Sequence, residues 1–283
     1  MGGEGPLVLF LHGWGIGPKS YRAPLERLAD AGCRVVAPAL PGFAGTSELP
    51  RSRRSFSGYA AWVSELLTSL AGAGAIGAEE APIVMGHSFG GGVALQFSCE
   101  HADRVRALLL CNAAGGPERV DDVGGGRSMA QRPLWEWGVY LVEDVLSPGS
   151  LARVVPAVLG DFVPNIVHRP MALMRVAEFI RTADLLDEAV AVAEKGIPVV
   201  PVWSDRDVLV PRGSHVAVCK ATGAPGVVVP GNHTWLIADP ELFVDVALRS
   251  LAEVGVLGER GSVLRRRASA RRKPRNAAGR STA

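Results

Sequence analysis

The 283-residue sequence has few cysteines and no long apolar run, and each absence narrows the class of protein. Its four cysteines are scattered without a C-x-x-C pair, which indicates reduced packing residues. No apolar run approaches the length of a membrane span, and the start MGGEGP has neither the positive nor the apolar segment of a secretion signal. We therefore expect a cytoplasmic protein.

The common motifs for metals and cofactors are also missing. The sequence contains no H-E-x-x-H and no G-x-x-x-x-G-K-[ST]. The alternating glycines Gly13, Gly15 and Gly17 lack the third spacing of a dinucleotide fingerprint. We therefore expect neither a metal nor an organic cofactor.

The net charge of +2 hides a strong asymmetry. Residues 259–283 contain nine basic residues against Glu259, so this tail carries +8 and the rest of the chain −6. Because the tail has almost no apolar residues after Leu264, we expect it to be disordered. Two hypotheses remain for it: weak contact with nucleic acid or anionic lipid, or a solvated extension without a partner.

Apolar segments of strand length recur along the chain, and amphipathic helical segments lie between several of them. The predicted strands are Leu7 to Leu11, Arg34 to Ala39, Ile83 to Met85, Val105 to Cys111, Ile197 to Trp203 and Gly226 to Val229. The predicted helices are Tyr21 to Ala31, Phe56 to Ala71, Gly91 to His101 and Arg212 to Ala221. Continuous apolar strands are typical of parallel sheets buried on both faces, so the pattern predicts an α/β fold with about six mostly parallel strands.

The alternation of predicted strands and helices stops between Gly115 and Gly196, where no convincing strand occurs. Aromatic residues appear there among helical patterns: Trp135, Trp137, Tyr140, Phe162 and Phe179. We predict a helical insertion at 116–182, between core segments 1–115 and 183–258, with the tail at 259–283. With 48% hydrophobic residues the chain is long enough for one large core with such an inserted unit.

The most informative motif is Gly86-His87-Ser88-Phe89-Gly90, which directly follows a short apolar strand. A sharp strand-to-helix turn can present a serine as a nucleophile only when its neighbours have almost no side chain, and Gly86 and Gly90 meet that demand. Ser128 has a similar small-residue surrounding, but it follows a glycine-rich loop with no strand to aim it. We therefore predict Ser88 as the nucleophile.

A serine nucleophile needs a base, and His233 is the predicted one because its loop directly follows the last apolar strand. The other histidines are less suitable. His101 and His215 lie in helical segments, and His168 lies in the insertion. His87 is beside the nucleophile, but we expect its side chain to point away from it, and we expect His12, after the first strand, to brace the adjacent loop.

The base in turn needs an acid just past a strand. Both Asp205 and Asp207 follow the fifth strand. We prefer Asp207, and we expect Asp205 to form a turn by bonding its own backbone.

The oxyanion of an acyl-transfer intermediate needs backbone N–H donors. The sequence offers the N–H of Phe89, after the nucleophile, and that of Trp14, in a glycine-rich loop after the first strand. A purely structural tight turn is the alternative for that loop.

Together these residues resemble the α/β-hydrolase superfamily from about Leu7 to Leu251. The chain order Ser88, Asp207, His233 matches the nucleophile, acid and base order of that family. The insertion looks like the helical cap that covers the family's active site. The resemblance implies a serine hydrolase that uses no metal, with Phe89 and Trp14 as the oxyanion donors.

One departure concerns the start of the chain. Family members usually begin with an antiparallel strand pair, but only six residues precede Leu7, so either the pair is absent or the start is truncated. Without the pair, the segment Arg34 to Ala39 becomes an exposed sheet edge, which Pro38 partly blunts. We therefore expect self-association, as a homo-oligomer, or poor solubility.

A serine at this position favours acyl transfer to water over the related epoxide hydrolases and haloalkane dehalogenases, which use aspartate. We predict hydrolysis of an ester-like bond in a small, largely apolar substrate, through an acyl-enzyme on Ser88. Thioesterase, carbon–carbon bond hydrolase and cofactor-free perhydrolase chemistry use the same triad and stay open. A weakly catalytic small-molecule sensor is the alternative from another class.

Overall fold

The computed structural model of the protein describes residues 5–116 and 151–257. Its strands form one six-stranded parallel sheet in the order β2-β1-β3-β4-β5-β6. The strands are β1 (Leu7–Leu11), β2 (Arg34–Val36), β3 (Ile83–His87), β4 (Ala107–Cys111), β5 (Val199–Ser204) and β6 (Val227–Val229). The predicted α/β fold and the six strands are confirmed.

Helices cover both faces of the sheet. On one face lie α2 (Phe56–Gly72), α3 (Phe89–Glu100), α6 (Leu186–Glu194) and α7 (Arg212–Thr222). On the other lie α1 (Arg22–Asp30), α8 (Trp235–Ala238) and α9 (Pro240–Glu253). The apolar side chains of the central strands are therefore buried on both faces, which explains why these strands have no alternating polar residues.

Two helices of the predicted insertion are described, α4 (Leu151–His168) and α5 (Pro170–Arg181). Both contact the core beyond the carboxyl ends of the strands, through residues discussed below. Ser128, Trp135, Trp137, Tyr140 and the basic tail lie outside the described residues. In the described part of the chain, no helix combines the length and the apolar character needed to cross a membrane.

Several predicted boundaries differ from the structure. Strand β2 ends at Val36, and Pro38, which has no N–H to donate to a ladder, follows two residues later. Helix α3 begins at Phe89 rather than Gly91, so the glycines lie inside the helix. Strand β2 lies at one edge of the described sheet.

The strand order creates a crevice at the carboxyl ends of β1 and β3. From β1 the chain continues to β2 on one side, and β3 pairs with β1 on the other. The loops that leave β1 and β3 therefore separate, and in open α/β sheets ligands bind at such a point. The predicted nucleophile and the predicted oxyanion loop border this crevice.

Candidate active site

The turn at Ser88 has the strained geometry that the motif predicts. Ser88 has φ +53° and ψ −119°, in the positive-φ region that side chains rarely adopt. A Cβ at Gly86 would lie 2.3 Å from the carbonyl oxygen of Gly90, and one at Gly90 would lie 2.2 Å from that of Leu11. Only glycine fits at these two positions, so they let β3 turn directly into α3.

Phe89 is the first residue of α3, directly after Ser88. The first amides of a helix have no acceptor within the helix, and the helix dipole adds positive potential at this end. The ring of Phe89 is fully buried among Phe43, Phe56 and Phe179. This packing fixes the backbone whose N–H is the first predicted oxyanion donor.

Asp207 and His233 are hydrogen-bonded to each other, with 2.8 Å between His233 Nδ1 and Asp207 Oδ2. The other carboxylate oxygen of Asp207 accepts the backbone N–H groups of Leu209 at 2.8 Å and Val210 at 2.9 Å. Both side chains are buried. A carboxylate acceptor makes Nδ1 the protonated nitrogen of neutral His233, which leaves a lone pair on Nε2 for a proton.

Asp205 does not form the turn that we expected of it. Its Oδ1 accepts the N–H of Gly231 at 3.0 Å, so it holds the loop that carries His233. The turn closed by an aspartate side chain is made by Asp207, through its bonds to Leu209 and Val210.

Asn112 is a site residue that sequence reasoning missed. It directly follows β4, is buried, and has φ +46°. Its Nδ2 donates to Asp207 Oδ2 and to Ser204 Oγ, and its Oδ1 accepts from Trp235 Nε1 at 2.8 Å. In the sequence, Asn112 could have been recognised as a polar residue at the end of a buried strand.

The side chain of His12 holds the loop after β1 through two hydrogen bonds. His12 Nδ1 donates to the carbonyl of Gly13 at 2.9 Å, and His12 Nε2 accepts the N–H of Leu40 at 2.9 Å. Burial of the ring lowers the pKa of His12 to about 4, so the imidazole is neutral. Because C=O and N–H point in opposite directions in a trans peptide, this bond also orients the N–H of Trp14.

His87, which precedes the predicted nucleophile, lies against the predicted base His233. The rings of His87 and His233 are 4.7 Å apart between centroids, and His87 Nε2 is 2.9 Å from the carbonyl oxygen of His233. The structure thus brings Asp207 and His233 into direct contact, and it places His87, the residue before Ser88, against the His233 loop.

Helix α4 is joined to the loop after β1 by buried polar groups. Asp161 Oδ2 accepts the N–H of Gly17 at 3.1 Å, and the N–H and the hydroxyl of Ser20 at 3.0 and 2.8 Å. Asn165 donates to the carbonyl of Gly15 at 2.9 Å. This part of the insertion therefore contacts the same loop that carries Trp14.

The insertion also borders a cavity beside the aromatic cluster around Phe89. The cavity has a volume of about 310 Å³ and lies between α5 and residues 42–59. Its apolar walls are formed by Leu49, Tyr59, Val176 and Phe179. Glu48, which forms ion pairs with Arg54 and Arg175, lines another part of the cavity together with these two arginines. Within the ranges 5–116 and 151–257, no three side chains of histidine, cysteine or acidic type form a group that could hold a metal.

A match to a family profile identifies the protein family to which this chain belongs. The sequence profile of the Alpha/beta hydrolase family matches residues 8–246. The chain therefore belongs to the α/β hydrolase family, as the resemblance predicted.

Its relatives have several named activities. A predicted non-heme haloperoxidase of Mycobacterium phage D29 is 28% identical over 264 residues, which cover 89% of this chain and 90% of the relative. A pimeloyl-[acyl-carrier protein] methyl ester esterase of Yersinia enterocolitica is 29% identical over 270 residues, covering 88% and 96%. Among solved structures, the enol-lactonase from Burkholderia xenovorans LB400 has a TM-score of 0.68 at 19% identity, covering 88% and 92% of the two chains.

Proposed function

We propose that this protein is a serine hydrolase that cleaves an ester-like bond in a small, largely apolar substrate. The observation that carries the proposal is the buried hydrogen bond between Asp207 and His233, at the same edge of the sheet as the strained Ser88. The named activity of the Yersinia relative, a methyl ester esterase, supports the same bond type.

In the proposed reaction, Ser88 Oγ attacks the substrate carbonyl while His233 Nε2 takes its proton. His233 then gives the proton to the departing alcohol oxygen, which leaves an acyl group on Ser88. A water molecule then attacks the acyl carbonyl while His233 takes its proton; the bond to Ser88 Oγ breaks, His233 returns the proton to this oxygen, and the acid is released. Asp207 accepts the hydrogen bond of His233 Nδ1 and so orients the ring, while the Phe89 and Trp14 N–H groups stabilise the oxyanion.

The apolar character of the substrate is proposed from the insertion. Helix α5 places Val176 and Phe179 at the cavity, and the ring of Phe179 contacts that of Phe89 at 5.8 Å between centroids. The cavity therefore lies beside the aromatic side chains that pack around Phe89. Its size suits a short acyl or alcohol group.

Hydrolysis of p-nitrophenyl acetate and butyrate tests the proposal. The wild-type protein is expected to turn over these esters, and Ser88→Ala is expected to lose the activity. Equal rates in the two proteins would refute the assignment and leave the sensor alternative.

A second candidate is perhydrolase chemistry, favoured by the phage relative and by a bromoperoxidase from Bacillus anthracis with a TM-score of 0.68 at 18% identity, covering 88% of this chain. In this reaction hydrogen peroxide replaces water, attacks the acyl group on Ser88 and leaves as a peracid, which then oxidises bromide. Bromination of monochlorodimedone that requires acetate, hydrogen peroxide and Ser88 would support this candidate. Ester hydrolysis without bromination would eliminate it.

A further inference from the structure

Two buried side chains, Tyr21 and His87, connect the predicted oxyanion loop to the predicted base loop. The N–H of Gly13 donates to the hydroxyl oxygen of Tyr21 at 3.0 Å. The Tyr21 hydroxyl lies 2.7 Å from His87 Nδ1, and His87 Nε2 lies 2.9 Å from the carbonyl oxygen of His233. We call this chain of hydrogen bonds the Tyr21–His87 bridge.

The direction of every hydrogen in the bridge follows from its two ends. A carbonyl oxygen only accepts, so His87 Nε2 carries a hydrogen and donates it to His233. Burial of the ring, reinforced by the neighbouring His233, lowers the pKa of His87 well below its usual value, so the imidazole is neutral. His87 Nδ1 must then accept from the Tyr21 hydroxyl, whose oxygen in turn accepts from Gly13. All of these polar groups are satisfied in one arrangement.

The surroundings keep the bridge uncharged. Burial raises the pKa of Tyr21 and that of Cys111, which pairs with His87 across the sheet, and burial keeps His12 neutral. The carboxylate of Asp161 has an electrostatic effect on both Tyr21 and His12. A neutral bridge matters because His233 becomes an imidazolium during the proposed reaction, and a charged ring 4.7 Å away would oppose that step.

The oxyanion loop packs closely against the bridge at Gly13. A Cβ at Gly13 would lie 3.0 Å from the Tyr21 hydroxyl and 3.2 Å from His87 Nδ1. The backbone of the oxyanion loop therefore lies directly against the bridge, and a side chain at Gly13 would require the bridge to shift by a few tenths of an ångström.

We propose that Tyr21 and His87 are positioning residues that set the distance between the Trp14 N–H and the His233 imidazole. The proposal rests on the proposed serine hydrolase function. Proton transfer by His233 and oxyanion stabilisation by Trp14 occur in the same transition state, yet the two residues lie on loops far apart in sequence. A bridge that holds both loops keeps these groups aligned, and displacement by about 1 Å can lower a rate by about a hundredfold.

Three variants and one control test the bridge. Tyr21→Phe removes a single oxygen atom, His87→Leu removes both ring nitrogens, and His87→Gln keeps an N–H donor that reaches toward His233. His215→Leu is the control: His215 is a partly buried histidine on α7, its pKa is likewise lowered to about 4 by burial, and it contacts Trp203 outside the bridge. Thermal unfolding of each variant reports whether it is folded.

Hydrolysis of p-nitrophenyl butyrate is the first readout. We expect kcat to fall by ~10- to 100-fold in Tyr21→Phe and His87→Leu, since the misplaced groups act in the transition state, with KM changed less than about threefold. His87→Gln is expected to recover most of the loss relative to His87→Leu, and His215→Leu to retain wild-type kcat. Unchanged kcat in Tyr21→Phe, or His87→Gln no better than His87→Leu, would overturn the proposal.

The second readout does not need turnover. The proton shared by His233 Nδ1 and Asp207 should give a far-downfield proton resonance in the wild type, and we expect it to shift or broaden in Tyr21→Phe and His87→Leu but not in His215→Leu. An unchanged resonance in both bridge variants would refute the bridge. A wild-type protein with this resonance but no hydrolysis would refute the proposed function instead.

Discussion

Replacing Asp207 by asparagine is a sharp test of the site because the hydrogen bonds around this carboxylate fix the orientation of the new amide. One oxygen of Asp207 accepts two backbone N–H groups, from Leu209 and Val210. An amide nitrogen cannot accept them, so the oxygen of the asparagine must take this position. Its NH₂ group then replaces the oxygen that faces His233 and Asn112.

This orientation forces His233 into the wrong tautomer. Facing an NH₂ group, Nδ1 of His233 must accept, so the hydrogen of the neutral ring moves to Nε2, the atom that should take the proton of Ser88. In serine proteases the same replacement lowers kcat by about 10⁴, which corresponds to about 5 kcal/mol of transition-state stabilisation. The NH₂ group also opposes the Nδ2 donor of Asn112, which costs about 1 to 3 kcal/mol of stability.

The assay compares kcat for p-nitrophenyl butyrate in wild type, Asp207→Asn and a control, Asp239→Asn. Asp239 caps α9 by accepting the N–H of Leu242 at 3.0 Å, and asparagine is an equivalent cap. We expect a loss of about 10⁴ in Asp207→Asn and wild-type activity in the control. A loss smaller than tenfold in a folded Asp207→Asn protein would refute the role of Asp207.

Three further predictions concern stability and are checked by urea unfolding. Asn112→Leu should lower the free energy of unfolding by about 3 to 5 kcal/mol, because a bond to a carboxylate is lost and the Trp235 N–H is left unpaired; a change below about 1 kcal/mol would contradict this. Asp161→Ala should cost about 2 to 4 kcal/mol, because the N–H groups of Gly17 and Ser20 lose their acceptor; an unchanged midpoint would show that this contact is dispensable. The pKa of His12 is about 4 in the fold, below its usual 6.5, so the unfolded chain binds more protons between these values. The contribution of His12 is therefore fully present above about pH 6.5 and should decrease by about 3 kcal/mol on acidification to about pH 4.5, while His87 and His215, whose pKa values burial also lowers, add losses in the same direction. A flat profile would contradict a neutral buried His12.

The parts of this site that could be predicted from the sequence are those that follow from local pattern. Continuous apolar segments identified the strands, and residues just past a strand end were the natural candidates for chemistry. Ser88 and Asp207 were predicted in this way, since parallel strands bring their carboxyl ends to one edge. Gly86 was recognised because a sharp turn needs a residue without a side chain.

The missed parts depend on contacts between distant segments. Asn112 acts on Asp207 across the β4–β5 pair, and nothing in its own neighbourhood indicates a partner 95 positions away. The contact of His87 with His233 spans 146 positions. Tyr21 begins a helical segment in sequence, and only the folded loop shows that its hydroxyl meets Gly13. Local pattern indicates where a residue lies along an element, but not which distant residue it meets.

The central claim, that Ser88 is the nucleophile of a serine hydrolase, is tested most directly by covalent labelling. The protein is treated with a fluorophosphonate probe, digested, and the labelled peptide is mapped by mass spectrometry. We predict that the label lies on Ser88, that Ser88→Ala abolishes it, and that ester hydrolysis disappears with it. A label on another serine such as Ser128, or hydrolysis that persists in Ser88→Ala, would contradict the claim.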